Sequence, residues 1–193
     1  MPRIILASAS PQRKTLLEGL GVSFEVIPSD VREEAHPEKD PKKRAADLAK
    51  LKALDVSAKN PGAFVIGCDT LVVSADGSLL EKPSNADEAR EMLELQSGKA
   101  STVYSALCIV DADSKLHEGI SSSSVHFKKL SDADIDWWVK SGNWKDRSGG
   151  FQIDGPGQLM IEKIEGDWTS VVGLPIFLLG SLLKFADATF FLP

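Results

Sequence analysis

The strongest constraint on the fold is an unbroken apolar run, Ala63-Phe64-Val65-Ile66-Gly67-Cys68, that meets a carboxylate at Asp69. A short apolar run rich in β-branched residues reads as a buried strand. Asp69 is then expected at its C-terminal end, the edge where α/β sheets bind ligands. The rest of the chain supplies strands and helices in alternation. Arg3 to Ala7 is a short strand. Ser10 and Pro11 start a helix as N-cap and first helical residue, and Gly21 is expected to stop it. Val22 to Ile27 is a second strand and residues 33 to 44 form a charged loop. Asp40-Pro41 opens a long helix to about Ala58. Leu71 to Val73, a turn at Ala75-Asp76-Gly77, and Leu79-Leu80 predict a hairpin. Asn85 with Glu88 has the spacing of a capping box for a helix closed by Gly98. Thr102 to Val110 and Ser122 to Phe127 are strands around a turn at Asp111–Ser114. Ser131 with Asp134 opens a helix to Ser141-Gly142. A Gly-rich loop (148 to 157), a strand from Leu159 to Ile164, a turn at Glu165-Gly166-Asp167 and a last helix from Pro175 complete the reading. The expected class is α/β, with a mixed twisted sheet and flanking helices.

Length suits one domain of two closely joined lobes, residues 1–193, without a separable linker. The net charge of -6 argues against a general nucleic-acid binder but leaves room for a small anionic ligand at a local basic cluster. Cys68 and Cys108 lie far apart in apolar surroundings and read as buried thiols in a reducing compartment. The apolar stretches at either end are too short for a signal segment or a membrane span. A cytoplasmic protein without a membrane or nucleic-acid partner is expected.

Three places could carry chemistry. Ser8-Ala9-Ser10-Pro11-Gln12-Arg13-Lys14 joins a strand to a helix N-terminus holding hydroxyls and cations, a pattern suited to phosphate. From the local pattern alone, an ordinary capped helix with solvated charges is the simpler reading. Lys52 falls on one stripe of its helix with Ala45, Ala49 and Val56, where it requires an anionic partner or a route to water. Asp69 could hold a divalent ion or activate water, or simply form a turn. Lys82 follows the hairpin, and Glu33 and Glu34 form a second acidic point. Carboxylates for a metal together with cations for phosphates suit phosphoryl chemistry. No phosphate-binding GxxxxGK[ST], HExxH or GxSxG pattern is present, and His36, His117 and His126 form no ligand pattern. Trp137, Trp138, Trp144 and Trp168 could stack on a base, but core positions are the simpler reading.

Six ordered segments resemble the Maf family: LASASPQRKTLL, LAKLKA, GCDTLV, EKP, SGGFQIDGPG and EGDWTSVVGLP. The resemblance runs from residue 3 to about residue 177. It implies an α/β fold with two lobes around a central cleft, similar to that of inosine triphosphatases. It also implies nucleoside triphosphate diphosphatase activity that guards nucleotide pools by yielding a monophosphate and pyrophosphate. A divalent metal, Mg or Mn, and often a homodimer go with it. Carried over, Asp69 matches the base that activates water. Ser8, Ser10, Arg13, Lys14, Lys52 and Lys82 match phosphate-binding positions, and Glu33 and Asp69 match metal-holding ones. Gln12, Thr70 and Asp154 stand at the positions that choose the base. Thr70 agrees with the dTTP/UTP branch, whereas Asp154 and VHFKKLSDADID are nearer the 7-methyl-GTP branch. Arg32 stands where the family commonly has an acid. An inosine-type house-cleaning enzyme, or a nucleotide-binding regulator of division, are the alternatives.

Overall fold

A computed structural model describes residues 3–186. Seven strands form one sheet of order β2-β1-β3-β5-β6-β7, with β4 paired to β3. They are β1 (Ile4–Leu6), β2 (Glu25–Val26), β3 (Phe64–Val73), β4 (Leu79–Leu80), β5 (Ala100–Val110), β6 (Leu116–Phe127) and β7 (Ile161–Glu165). β1 runs parallel to β2 and β3, whereas the pairs β3–β4 and β6–β7 are antiparallel. The sheet is therefore mixed. Among the described residues six α-helices accompany it: α1 (Pro11–Glu18), α2 (Pro41–Ala58), α3 (Ala86–Gln96), α4 (Asp132–Ser141), α5 (Trp168–Val172) and α6 (Ile176–Phe185). No helix among the described residues is long and apolar enough to cross a membrane.

Contacts divide the chain into two compact units. Of the described residues, the first comprises 3–69, 105–121 and 173–186, and the second 70–104 and 122–172. Neither is contiguous in sequence, since the chain passes between them within β3, β5 and β6 and again after α5.

In the first unit, Ile4, Leu6, Phe64, Ile66 and Cys68 alternate along β1 and β3. They share a core with Leu17 of α1 and with Leu179, Leu182 and Leu183 of α6. Period-two alternation sends Gly67 and Asp69 to the opposite face, and that face meets α2. A Cβ built on Gly67 would lie 2.3 Å from the Ala49 carbonyl oxygen and 2.7 Å from the Ala53 nitrogen. Only a glycine lets strand and helix backbones approach this closely. α2 starts where expected, with Asp40 accepting the Lys43 N–H at 2.9 Å ahead of Pro41.

In the second unit, Val72, Leu80, Leu93, Val103, Phe127, Ile135, Trp138 and Met160 belong to a separate core. The Phe127 and Phe151 rings meet edge to face at 5.0 Å. The Ser131–Asp134 capping box forms in full and Gly142 ends α4 in the left-handed conformation.

Several boundaries differ from expectation. α1 ends at Glu18, three residues before Gly21, and β2 keeps only Glu25–Val26. A 3-10 turn, Glu33–Ala35, interrupts the expected loop. At α3, Asn85 caps Glu88 as expected, but the Glu88 carboxylate accepts from the Ser84 N–H instead of closing a box on Asn85. β6 starts at Leu116, six residues early. β7 starts two residues late, because Pro156–Met160 winds into a 3-10 turn that leaves Leu159 exposed. α5 falls where no helix was expected.

Candidate active site

β3 does not end at Asp69. The strand continues to Val73, so Asp69 is its sixth residue of ten. The correction has a simple cause: Thr70-Leu71-Val72-Val73 is itself strand-forming, and the charge inside the strand is met by α2. The Lys52 ammonium stands 2.5 Å from Asp69 Oδ1 and 2.7 Å from Glu33 Oε1. Asp69 is 3% exposed and Lys52 5%. A buried ammonium is tolerated when anionic partners offset its desolvation. The stripe of Ala45, Ala49, Lys52 and Val56 is buried throughout. Its small alanines admit β3, and the lysine inherits that burial.

Glu33 reaches this pair from the 3-10 turn, which is held in place by α2. Arg44 Nη2 donates to the Glu33 carbonyl at 3.2 Å, and Asp55 Oδ2 accepts the Asp30 N–H at 2.9 Å. That Asp30 N–H, and then Lys59, which bridges Asp30 and Asp55, hold the Asp55 carboxyl below the usual range. Sequence reading passed over Arg44 and Asp55, because their role depends on which loop lies over the helix.

Asp69 Oδ2 is buried and has no hydrogen-bond partner among the described residues. Such an oxygen costs free energy unless a donor or cation meets it. Two carboxylates facing one ammonium, with one carboxylate oxygen unengaged, suit a divalent cation. Mg in particular is commonly held by one or two carboxylates and by substrate phosphates. No cluster of three or more His, Cys, Asp or Glu side chains occurs among the described residues. Glu33 and Asp69 are the carboxylates that could hold such an ion.

The other face of β3 carries a second group. Ser8 Oγ accepts from Arg13 Nη1 at 3.1 Å and from the Ser10 N–H at 3.2 Å. Ser10 Oγ caps the Arg13 N–H at 3.4 Å and donates to Gln12 Oε1 at 3.2 Å. Arg13 Nε donates to the Gly173 carbonyl at 2.8 Å, and the Cys68 thiol donates to the same oxygen at 3.0 Å. Burial pushes the Cys68 thiol up from its ordinary range, so it is a structural thiol and not a nucleophile. Lys14 does not join this group. It is exposed and stands 3.6 Å from Glu18 one turn on.

Thr70, Lys82 and Asp154 belong to the second unit. Thr70 is half-buried in β3, and Lys82 and Asp154 are exposed on loops. Trp138 and Trp144 are core residues, whereas Trp137 and Trp168 are partly exposed.

A family model described as Maf-like protein matches residues 3–186. The chain is 41% identical over 186 residues to a dTTP/UTP pyrophosphatase of Pyrococcus furiosus, with 95% of each chain covered. It is 40% identical over 190 residues to a protein of the same name from Deinococcus radiodurans, with 98% of this chain and 96% of that one covered. Among solved structures, a HAM1 protein from Coxiella burnetii matches with a TM-score of 0.50 at 13% identity, covering 98% of this chain and 99% of that one. That last likeness concerns the fold alone.

Proposed function

The chain belongs to the Maf-like protein family, and we propose on that premise that it hydrolyses dTTP and UTP to the monophosphate and pyrophosphate, clearing nucleotide pools. The observation that carries the reading is the buried Lys52 bridging Asp69 and Glu33, with Asp69 Oδ2 left as an acceptor. Thr70 agrees with the pyrimidine branch, and the relatives named for dTTP and UTP support it over 7-methyl-GTP. A homodimer is the state that the family resemblance suggests, and the buried free thiols favour the cytoplasm.

Lys52 holds Asp69 by Oδ1 and so orients the carboxylate, leaving Oδ2 to take a proton from water. The water oxygen bonds to the α-phosphorus as the bond from that phosphorus to the bridging oxygen breaks. Pyrophosphate leaves with the electron pair, and the water proton rests on Asp69. Ser8, Ser10, Arg13 and Lys82 bind phosphate oxygens. Lys14, paired with Glu18 at the surface, adds a weaker attraction. Gln12, Thr70 and Asp154 select the base. A divalent cation, Mg or Mn, fits Glu33 and Asp69 and would neutralise phosphate charge when bound.

The test is turnover of dTTP, UTP and 7-methyl-GTP with Mg and with Mn, following both monophosphate and pyrophosphate. Wild-type protein should release pyrophosphate from dTTP and UTP. Asp69→Asn should bind nucleotide yet turn over about 10²- to 10⁴-fold more slowly, the range that proton transfer contributes. A wild-type rate in Asp69→Asn would remove Asp69 as the base, and no pyrophosphate from any triphosphate would sink the enzymatic reading.

A further inference from the structure

Gln96 closes α3 and is fully buried. Its amide is fully engaged. Nε2 donates to the Met92 carbonyl at 3.0 Å and to the Gly149 carbonyl at 2.8 Å, and Oε1 accepts from Ser101 Oγ at 3.1 Å. The bond to Met92 stays within its own helix. The bond to Gly149 leaves the helix and takes hold of the Gly-rich loop. There a second buried donor acts on the next residue, as Trp138 Nε1 donates to the Gly150 carbonyl at 2.7 Å. Both glycines are left-handed, with φ of 73° and 68°. Side chains disfavour that conformation.

On the other side of the first glycine, the Gly149 N–H donates to the Glu81 carbonyl at 3.0 Å. Glu81 precedes Lys82, and the buried Pro83 lies against Gly150, whose added Cβ would stand 3.6 Å from Pro83 Cγ. The backbone on both sides of Lys82 is thus tied to the glycine pair, and the glycine pair to Gln96 and Trp138. All of these residues lie in the second unit.

We propose that Gln96 is a positioning residue for Lys82. By holding the Gly149 carbonyl, it fixes the glycine whose N–H donates to the Glu81 carbonyl, and so the backbone from which the Lys82 ammonium reaches phosphate. The inference rests on the reading of Lys82 as a phosphate-binding group.

A double-mutant cycle tests it, with kcat/KM for dTTP measured in the full-length protein. Gln96→Met keeps the side-chain volume and removes the amide. It should lower kcat/KM about tenfold, within what small misplacement of a positioned group costs. In a Lys82→Ala background the same substitution should change kcat/KM less than about twofold, because the group it positions is gone. Equal losses in both backgrounds, or no loss in the first, would overturn the proposal while leaving Lys82 in place. Lys82→Ala with unchanged kcat/KM would overturn the reading of Lys82 and this inference with it. If Gln96→Met fails to fold, Gln96→Glu takes its place in the cycle under the same criterion. It keeps the shape and the acceptor for Ser101 but cannot donate twice.

Discussion

Gly67→Ala should separate the Lys52–Asp69 pair without touching it. The added methyl would lie 2.3 Å from the Ala49 carbonyl oxygen, 2.7 Å from the Ala53 nitrogen and 2.8 Å from the Ala53 Cβ. The nearest of these contacts is about 1 Å short of ordinary van der Waals distance. The first two obstacles are helix backbone, so no side-chain rotation relieves them, and α2 must move away from β3 by about that amount. Overpacking of this kind costs about 1–3 kcal/mol. In a chain of this size that lowers Tm by about 2–4 °C for each kcal/mol. The shift falls on the Lys52–Asp69 contact, now 2.5 Å. Misplacing a reacting group by about 1 Å costs up to about 10²-fold in rate. The assay pairs thermal unfolding by circular dichroism with dTTP turnover well below the variant's Tm. A lower Tm with a rate reduced far beyond the unfolded fraction is expected. A variant that melts and turns over like wild type would refute the idea that the glycine sets the spacing of helix and strand.

Lys52→Met should be worse for the fold, since it leaves Asp69 buried beside no cation. Removing one partner of a buried ion pair costs about 3–5 kcal/mol, so a large fall in the urea midpoint is expected, and an unchanged midpoint would contradict the burial. Burial pushes the Cys108 thiol up to about 12 from an ordinary value of 9.0, with Glu118 adding to the rise. The unfolded chain therefore loses this proton first. The stability contributed by the neutral thiol is complete below pH 9 and is lost as pH climbs toward 12. Cys108→Ala should flatten the alkaline fall in Tm, and a fall identical to wild type would count against the shift.

Much of the first unit was legible because it depends on local pattern. The caps at Ser10 and Asp40, and the lysine within an apolar stripe, are read from neighbours in sequence, as is the Ser131 cap in the second unit. The position of Asp69 within its strand was not, because a carboxylate in mid-strand is stable only with Lys52 opposite, seventeen residues earlier in the chain. The same limit hid Gln96: a glutamine at a helix end looks solvated until a loop fifty-three residues later is seen to close over it. Residues 116–121 at the start of β6 were missed because they are largely exposed or half-buried and carry no apolar alternation. α5 is a single short turn of helix after Asp167, whose carboxylate accepts the Thr169 N–H, and such a turn leaves no periodicity to detect. For the choice of base, the family resemblance named Gln12, Thr70 and Asp154, and local pattern added no contacts for them.

α2 also serves as a ruler. Arg44, Lys52 and Asp55, with Lys59 at the C-cap, engage the segment from Asp30 to Glu33 along one helix face. At 1.5 Å per residue those fifteen steps span about 22 Å. The segment has little regular structure of its own beyond one 3-10 turn, so its order is borrowed. One residue inserted into α2 after Arg44 would rotate the later contacts by about 100° and carry them off that face. A residue inserted at 37–39, between the segment and the helix, would leave the spacing of every anchor intact. Length variation in descendants of this chain should therefore gather in the connector and spare the helix.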